Sequence, residues 1–232
     1  MPDITIQAAD GGSFSAYLAT PKTPNGSGVI AIQEIFGVNK VMRDICDGLA
    51  AQGYLAISPD LFWRQEPGIQ LNVYDEAEWA KAFKLFGGFD QDKAVDDIEA
   101  TLATLRRSAG FSGKAGAVGY CLGGRMAYLT ACRTDIDAAV GYYGVGIDGL
   151  LDEAKTMKAP LVLHIAAEDG FVDKAAQAKM HAGLDGNPKV TLYDYAGVDH
   201  AFAREGGDHY DAAAAKRAND RTAAFFRSTL LG

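Results

Sequence analysis

A short turn with a cysteine at its centre constrains this chain more than any other feature. Residues 119–123 read Gly-Tyr-Cys-Leu-Gly, after the apolar run 115–118 and before the run 124–129. We predict a strand, a sharp turn and a helix, because a Cβ at either glycine would clash in so tight a turn. The turn would lift Cys121 above the sheet edge, at a helix N-terminus whose dipole favours a thiolate. The alternative is a buried cysteine in a glycine-rich turn.

Composition fits a single α/β domain. The chain has 232 residues, of which 48% are hydrophobic and 22% are charged. A domain of this size can bury a full core, so we predict one domain over residues 1–232. The formal net charge of −8 argues against a nucleic-acid partner or an anionic membrane surface.

Cysteine usage and the N-terminal residues indicate the compartment. Three widely spaced cysteines do not form a disulfide framework and fit a reducing environment. The N-terminal residues have no basic or apolar region of the kind that a signal peptide has. No apolar run reaches the length of a membrane span. We therefore expect a cytoplasmic protein.

Strand-like and helix-like segments alternate along the chain. This order favours a mostly parallel central sheet with helices on both faces. Asp10 to Gly12 form a turn signal between the first two strands, which suggests an antiparallel hairpin. We predict strands at 4–6, 13–18, 28–32, 54–58, 115–118, 138–141, 161–166 and 190–195, an irregular loop at 61–73, and helices at 40–51, about 75–86, about 90–108, after the turn at 119–123 and about 210–229.

The loops after three strands carry a nucleophile, an acid and a base in that order. Loops at the carboxyl ends of parallel strands hold the chemistry of such sheets. Cys121, Asp169 and His200 have the order nucleophile, acid, histidine that is typical of α/β-hydrolases. His200 would take the thiol proton and later activate water, while Asp169 would hold the imidazole. Glu168 is an alternative acid. Asp169 could also belong to a plain Asp-Gly turn, and a lone loop histidine is often only a surface residue.

The remaining histidines and cysteines have structural interpretations. His164 lies inside an apolar run and reads as a satisfied core side chain, whereas His181 and His209 read as solvated residues in polar helical surroundings. Cys46 and Cys132 fall in helical patterns and read as buried packing residues. The acidic start at Asp90 lacks the glycine of a calcium loop, so a helix cap is preferred. We expect no metal and no cofactor.

Five segments of the chain form a recognisable set in a fixed order. They are 33–39, 119–124, 141–146, 169–172 and 200–204. Together they resemble the dienelactone hydrolase (carboxymethylenebutenolidase) family, which belongs to the α/β-hydrolases, and the resemblance covers nearly the whole chain. It implies hydrolysis of a small lactone or carboxylic ester through an acyl-enzyme.

The resemblance also assigns roles to individual residues. It makes Cys121, His200 and Asp169 the catalytic triad. It makes Glu34 a carboxylate that contacts the resting thiol and helps to activate it. The family's oxyanion hole corresponds to the backbone N–H groups of Ile35 and Leu122. Arg204 corresponds to an arginine that binds the substrate carboxylate, and Phe36 and Tyr143 are further candidate substrate-binding residues.

The chain departs from the family pattern near the predicted substrate site. Trp79 stands where members that cleave dienelactone carry a second carboxylate-binding arginine, and Phe83 stands where a tyrosine is usual. Ala201 replaces a common serine. These changes favour, as an alternative, a broader esterase for neutral or aromatic esters.

Two other function classes stay open at this stage, a thiol redox sensor and a non-catalytic binding relative. A thiol redox sensor would require an exposed, reactive Cys121, but it would not require an acid and a histidine in a fixed order along the chain. The binding relative would keep the pocket without its chemistry. For the assembly we expect a monomer, with a dimer as the alternative.

Overall fold

The chain forms one mixed sheet flanked by helices. The computed structural model describes residues 3–232. Within that range eight strands, β1 to β8, follow the spatial order β1-β2-β4-β3-β5-β6-β7-β8. In chain order they are Asp3–Gln7, Ser13–Ala19, Gly28–Ile32, Leu55–Pro59, Ala115–Tyr120, Ala138–Tyr142, Leu161–Ala166 and Val190–Tyr195.

The described chain also has six α-helices, α1 to α6, and two 3-10 turns, and all but α6, which follows β8, lie between strands. None of these helices combines the length and the apolar character that crossing a membrane requires. The helices span Lys40–Ala51, Glu76–Gly87, Gln91–Arg107, Leu122–Arg133, Lys174–Leu184 and Ala212–Leu230, and the 3-10 turns span Ile147–Gly149 and Leu151–Thr156.

The predicted mostly parallel sheet is confirmed. Strand β3 pairs in parallel with β4, as β6 does with β7 and β7 with β8. The predicted N-terminal hairpin is also present, because β1 pairs antiparallel with β2, which in turn pairs antiparallel with β4. The chain divides into two compact units, the described residues up to 117 with Leu231, and residues 118–230 with Gly232. The single domain over residues 1–232 stays a prediction.

The first unit has helices on both faces of its strands. The Tyr17 hydroxyl donates to Asp47 of α1 at 2.8 Å. Gly28 faces the opposite way, because a Cβ built there would lie 2.9 Å from the side chain of Leu105 in α3. The strand register places Tyr17 and Gly28 on opposite faces. Helices α1 and α3 therefore cover opposite faces.

The second unit repeats this arrangement. A Cβ on Gly141 would lie 2.8 Å from the Gly124 carbonyl oxygen, so β6 packs closely against α4 on that face. The next side chain, Tyr142, points the other way and contacts the Thr222 hydroxyl of α6 at 2.7 Å. Since neighbouring residues of a strand face opposite sides, α4 and α6 lie on opposite faces.

The predicted core role of His164 is confirmed. It is buried, with Nε2 3.0 Å from the Thr222 hydroxyl and Nδ1 2.9 Å from the Tyr195 hydroxyl. Burial, assisted by the charge of Arg221, lowers its pKa to about 3, so the ring stays neutral. The predicted burial of Cys46 and Cys132 is also confirmed, and both are free thiols.

Several elements differ from the sequence prediction, and three of these differences involve identifiable local features. Strand β4 includes Pro59, which occupies the last pairing position, opposite Ala16, where a missing N–H is tolerated. Helix α6 starts at Ala212 rather than near 210, because the Asp211 carboxylate accepts from the Ala214 N–H and caps it there. Helix α5 was not predicted, although Asp173 caps it by accepting from the Ala176 N–H at 2.8 Å.

The predicted need for glycine at position 119 has a direct test. A Cβ on Gly119 would lie 1.9 Å from the Gly123 carbonyl oxygen, and neither group can yield without moving the backbone. We expect Gly119→Ala to lower the free energy of unfolding by about 1–3 kcal/mol or more, measured by chemical denaturation.

The control for this variant is Gly48→Ala in the exposed interior of α1. A Cβ there meets no atom within 4 Å. This substitution should stabilise the protein by about 1 kcal/mol, because alanine favours a helix. Equal stability changes in the two variants would contradict the account of the turn.

Candidate active site

Cys121 occupies the strained bend between β5 and α4. Its φ of 55° and ψ of −115° lie outside the regions that a side-chain-bearing residue ordinarily adopts. The bend is held by neighbours, because the Cys121 N–H donates to the Tyr142 carbonyl at 3.0 Å and its own carbonyl accepts from Gly124 at 3.0 Å. Cys121 is half-buried. The thiol is thereby fixed at the N-terminus of α4, as the sequence predicts.

Leu122 is the first residue of α4 and is buried. Its N–H belongs to the first turn, where backbone donors have no carbonyl partner within the helix. Such a donor next to a nucleophile is suited to an oxyanion. The position is compatible with the predicted oxyanion-hole role, which stays a prediction.

His200 and Asp169 form a buried pair. Nδ1 of His200 lies 3.1 Å from Oδ1 and 3.0 Å from Oδ2 of Asp169, and both residues are buried. The carboxylate is itself oriented, because its Oδ1 accepts the N–H groups of Phe171 at 2.8 Å and Val172 at 3.2 Å. Asp169 thus holds the ring in one orientation and directs the Nε2 atom away from itself.

Glu168, the alternative acid, lies in a different environment. Its side chain is exposed and pairs with Lys174 at 3.0 Å. Among the two candidates, only Asp169 is hydrogen-bonded to His200 in the structure.

The environment of His200 favours its protonated form. Burial alone would lower the pKa of this imidazole, but the negative charge of the Cys121 sulfur and hydrogen bonds to Asp169 and Cys121 outweigh it. Together they raise the pKa of His200 to about 10. An imidazolium between a sulfur and a carboxylate is the arrangement that stabilises a thiolate.

Aromatic rings enclose the imidazole. Tyr143 and Phe171 contact His200 edge-on, at centroid distances of 5.0 Å and 4.8 Å. Tyr143, a predicted substrate-binding residue, is buried and carries a positive φ of 39°. Phe171 is 52% exposed and was not singled out from the sequence, although it lies only two residues after Asp169. An exposed ring over the base can shield it from bulk water.

Arg125 is a second site residue that sequence reasoning missed. It lies four residues after Cys121, hence on the same face of α4, and its charge interacts with that of the sulfur. Burial lowers the pKa of Arg125, and the Cys121 charge opposes this effect. The i to i+4 spacing is the signal that could have identified it.

Five predicted site residues lie in the first unit, and three of them are aromatic residues in contact. Glu34, Ile35 and Phe36 follow β3 and are buried. The Phe36 ring meets Trp79 of α2 edge-on at 5.2 Å, and Trp79 lies 5.9 Å from Phe83, which is 43% exposed. The roles assigned to these five residues stay predictions.

Arg204 follows the histidine loop and is half-buried. Its backbone N–H donates to Ala201, whose φ of 63° marks a tight turn directly after His200. The predicted carboxylate-binding role of Arg204 stays a prediction. Across residues 3–232 no three His, Cys, Asp or Glu side chains are grouped so as to hold a metal ion.

The interpretation of two other histidines needs correction. His209 lies in a turn before α6 rather than in a helix, and its Nδ1 donates to the His200 carbonyl at 3.1 Å. His181 does lie in a helix, but it is not simply solvated, since its two ring nitrogens bind Asp185 and Asp194. The partners of His181 are the residue that ends its own helix, Asp185, and a residue of the neighbouring strand β8, Asp194.

The pKa of His200 provides a test of the site electrostatics. Cys121→Ala removes both the charge and the hydrogen bond of the sulfur, while burial continues to favour the neutral ring. We therefore expect the pKa of His200 to fall from about 10 towards its ordinary value, followed by NMR titration of the ring. Cys132→Ala, in the buried part of α4, is the control and should leave it unchanged. An unaltered titration in Cys121→Ala would contradict the proposed ion pair.

Comparisons with known proteins identify the family. A family model described as "Dienelactone hydrolase family" matches residues 14–230. A provisionally named carboxymethylenebutenolidase of Azospirillum brasilense is 51% identical over 232 residues, covering 99% of this chain and 100% of that protein. The carboxymethylenebutenolidase of Pseudomonas putida is 39% identical over 218 residues, covering 94% of this chain and 92% of that protein.

A solved structure agrees with these matches. The crystal structure of a provisionally named dienelactone hydrolase from Klebsiella pneumoniae superposes with a TM-score of 0.85 at 30% identity, covering 97% of each chain. The predicted fold and the predicted enzyme class, a hydrolase of carboxylic esters or lactones, are thereby confirmed. The chain belongs to the dienelactone hydrolase family of the α/β-hydrolase fold.

Proposed function

We propose that this protein hydrolyses a small lactone or carboxylic ester through Cys121, His200 and Asp169, with a thioester acyl-enzyme as intermediate. The observation that carries the proposal is the position of His200. Nδ1 of its ring is hydrogen-bonded to Asp169, and the Cys121 sulfur is near enough to raise the pKa of the ring. A nucleophile, a base and an orienting acid in this order are the parts that acyl transfer requires.

In the first step the Cys121 thiolate attacks the substrate carbonyl carbon. The C–S bond forms, and the carbonyl oxygen becomes an oxyanion that the Leu122 N–H can stabilise. One such donor is typically worth about 2.7–4 kcal/mol. As the tetrahedral intermediate collapses, the C–O bond of the ester breaks and the His200 imidazolium gives its proton to the leaving oxygen. In a lactone the leaving group stays attached to the acyl chain.

In the second step water releases the acyl group. His200 is neutral after protonating the leaving oxygen, so it can accept a proton from water as the water attacks the thioester. The C–S bond then breaks, and the thiolate and the imidazolium are restored together. Asp169 stabilises the charged ring in both steps, and its two backbone donors keep it in place.

Substituting two members of the proposed triad tests this proposal. With a nitrophenyl ester, Cys121→Ala should lose roughly 10⁴-fold or more in kcat, since the members of a triad act as a unit. Asp169→Asn should lose about 10²–10⁴-fold, because the base is no longer correctly held. Glu168→Gln and Cys132→Ala are the matched controls and should retain wild-type turnover.

Two outcomes would contradict the proposal. Turnover that survives in Cys121→Ala would exclude the sulfur as nucleophile. Reversible oxidation of Cys121 without turnover of any ester or lactone would favour a thiol sensor instead.

Broader specificity for neutral or aromatic esters is a second candidate, and the surroundings of Trp79 favour it. The Trp79 indole N–H donates to the Val73 carbonyl at 3.2 Å, and its ring packs against Phe36 and Phe83. An aromatic cluster therefore occupies the position where the family resemblance predicts a guanidinium. Loss of one charged hydrogen-bond partner for a carboxylate costs about 1.5–3 kcal/mol.

A matched pair of substrates tests this specificity. We expect kcat/KM for a carboxylated lactone to exceed that for its neutral methyl ester only weakly, because Arg204 alone would bind the carboxylate. Arg204→Ala should abolish that remaining preference, and Trp79→Arg should increase it. A strong preference for the acid that survives in Arg204→Ala would exclude this account of specificity.

A further inference from the structure

Asp199 links the loops that carry the acid and the base. Its Oδ1 accepts the N–H of Gly170 at 2.8 Å and the N–H of His200 at 2.6 Å. Gly170 directly follows Asp169, and His200 directly follows Asp199. One carboxylate oxygen therefore binds the backbone next to the acid and the backbone of the base.

This link lies where the sheet no longer connects the two loops. Beyond the paired strands β7 and β8, the Ala167 N–H donates to Tyr195 and the Glu168 N–H donates to Val198, both at 2.9 Å. The bond from Gly170 to Asp199 comes next along the same loop, but its acceptor is a side chain. Asp199 thereby continues this series of hydrogen bonds to Gly170, which directly follows Asp169, and to His200.

The backbone carbonyl of His200 also has a hydrogen-bond partner. His209 donates from Nδ1 to the His200 carbonyl at 3.1 Å, and the same atom lies 3.6 Å from Oδ2 of Asp199. The next residue, Ala201, has a φ of 63°, which costs energy for a residue with a side chain. Asp199 and His209 thus fix both ends of His200 immediately before a strained bend.

The Asp199 carboxyl group favours its ionised form, in which both oxygens can accept hydrogen bonds. Burial raises the pKa of this carboxyl, but the N–H groups of Gly170 and His200 and the charges of His209 and His200 outweigh it, so the net shift is downward. The ionised carboxylate therefore faces His200 from its backbone side, while Asp169 faces the ring.

We propose that Asp199 is a positioning residue for His200, acting through backbone hydrogen bonds that join the acid loop to the base loop. Without it the His200 backbone could relax around the Ala201 bend and carry the ring away from Asp169 and Cys121. The proposal rests on the proposed function of the triad and adds a residue that does not touch the substrate.

The experiment compares Asp199→Ala with Asp199→Asn. Asparagine keeps an oxygen that can accept both N–H groups, whereas alanine keeps none. We expect Asp199→Ala to lower kcat for a nitrophenyl ester by roughly 10- to 100-fold, with KM within about twofold, as expected for a misplaced catalytic group. We expect Asp199→Asn to restore kcat to within about threefold of wild type. Glu168→Ala, which removes a neighbouring exposed carboxylate, is the control and should leave kcat unchanged.

A second readout does not depend on turnover. The Nδ1–H resonance of His200 reports its bond to Asp169 by NMR. It should shift or broaden in Asp199→Ala and keep its wild-type position in Asp199→Asn. If the alanine variant does not fold, Asp199→Ser replaces it, because the shorter side chain is not expected to bridge the two loops. Melting temperatures of all variants identify any loss that follows from instability alone.

The outcomes separate this inference from the proposed function. Unchanged kcat and an unchanged resonance in Asp199→Ala would overturn the positioning role, as would a loss of activity that asparagine does not restore. Failure of the proposed function would instead appear as turnover that persists in Cys121→Ala. The resonance of His200 would still report on Asp199 in that case.

Discussion

The site depends on one buried hydrogen-bonded imidazole. A charged ring removed from water is costly unless its N–H groups are paired. Asp169 is hydrogen-bonded to Nδ1 of His200. The charge of the Cys121 sulfur also favours the protonated ring. Because each partner stabilises the charged ring, removing either one should lower the pKa of His200. The proposed triad is therefore best understood as a single electrostatic unit rather than as three independent groups.

The backbone provides the precision that this unit needs. Cys121 and Ala201 both have positive φ values, so the proposed nucleophile and the residue after His200 occupy strained positions. Such strain persists only where surrounding contacts overdetermine the conformation. At Cys121 the contacts come from the Tyr142 carbonyl and from glycine packing between β6 and α4. At Ala201 they come from the bonds that Asp199 and His209 make to His200.

Much of this arrangement could be predicted because it is local or periodic. The bend at Cys121 is predicted by glycines at a fixed spacing. The placement of Cys121, Asp169 and His200 in loops that follow strands is predicted by the alternation of strands and helices. Arg125, Phe171 and Asp199 were not predicted as site residues. Phe171 contacts His200 and Asp199 contacts Gly170, so both act between loops about thirty residues apart in sequence. A local sequence pattern does not predict such contacts. Helix α5 was missed although its cap at Asp173 is a recognisable signal.

The family resemblance identified the class of reaction, while the structure explains how this chain's residues could perform it. The order of the residues alone leaves Glu168 and Asp169 as alternative acids, since both are carboxylates in one loop, and the family resemblance favours Asp169. Their environments differ in the same sense, because Asp169 is buried against His200 whereas Glu168 pairs with Lys174 in solvent. The same reasoning separates the buried, neutral His164 from His200.

The most direct test of the central claim is intact-protein mass spectrometry of rapidly quenched reactions with an activated ester, followed by peptide mapping. The account predicts a transient mass increase equal to the acyl group, located on Cys121 and removed by hydroxylamine as expected for a thioester. Steady turnover with an acyl group on any other residue, or with no acyl-enzyme at Cys121 even when deacylation is slowed, would contradict it.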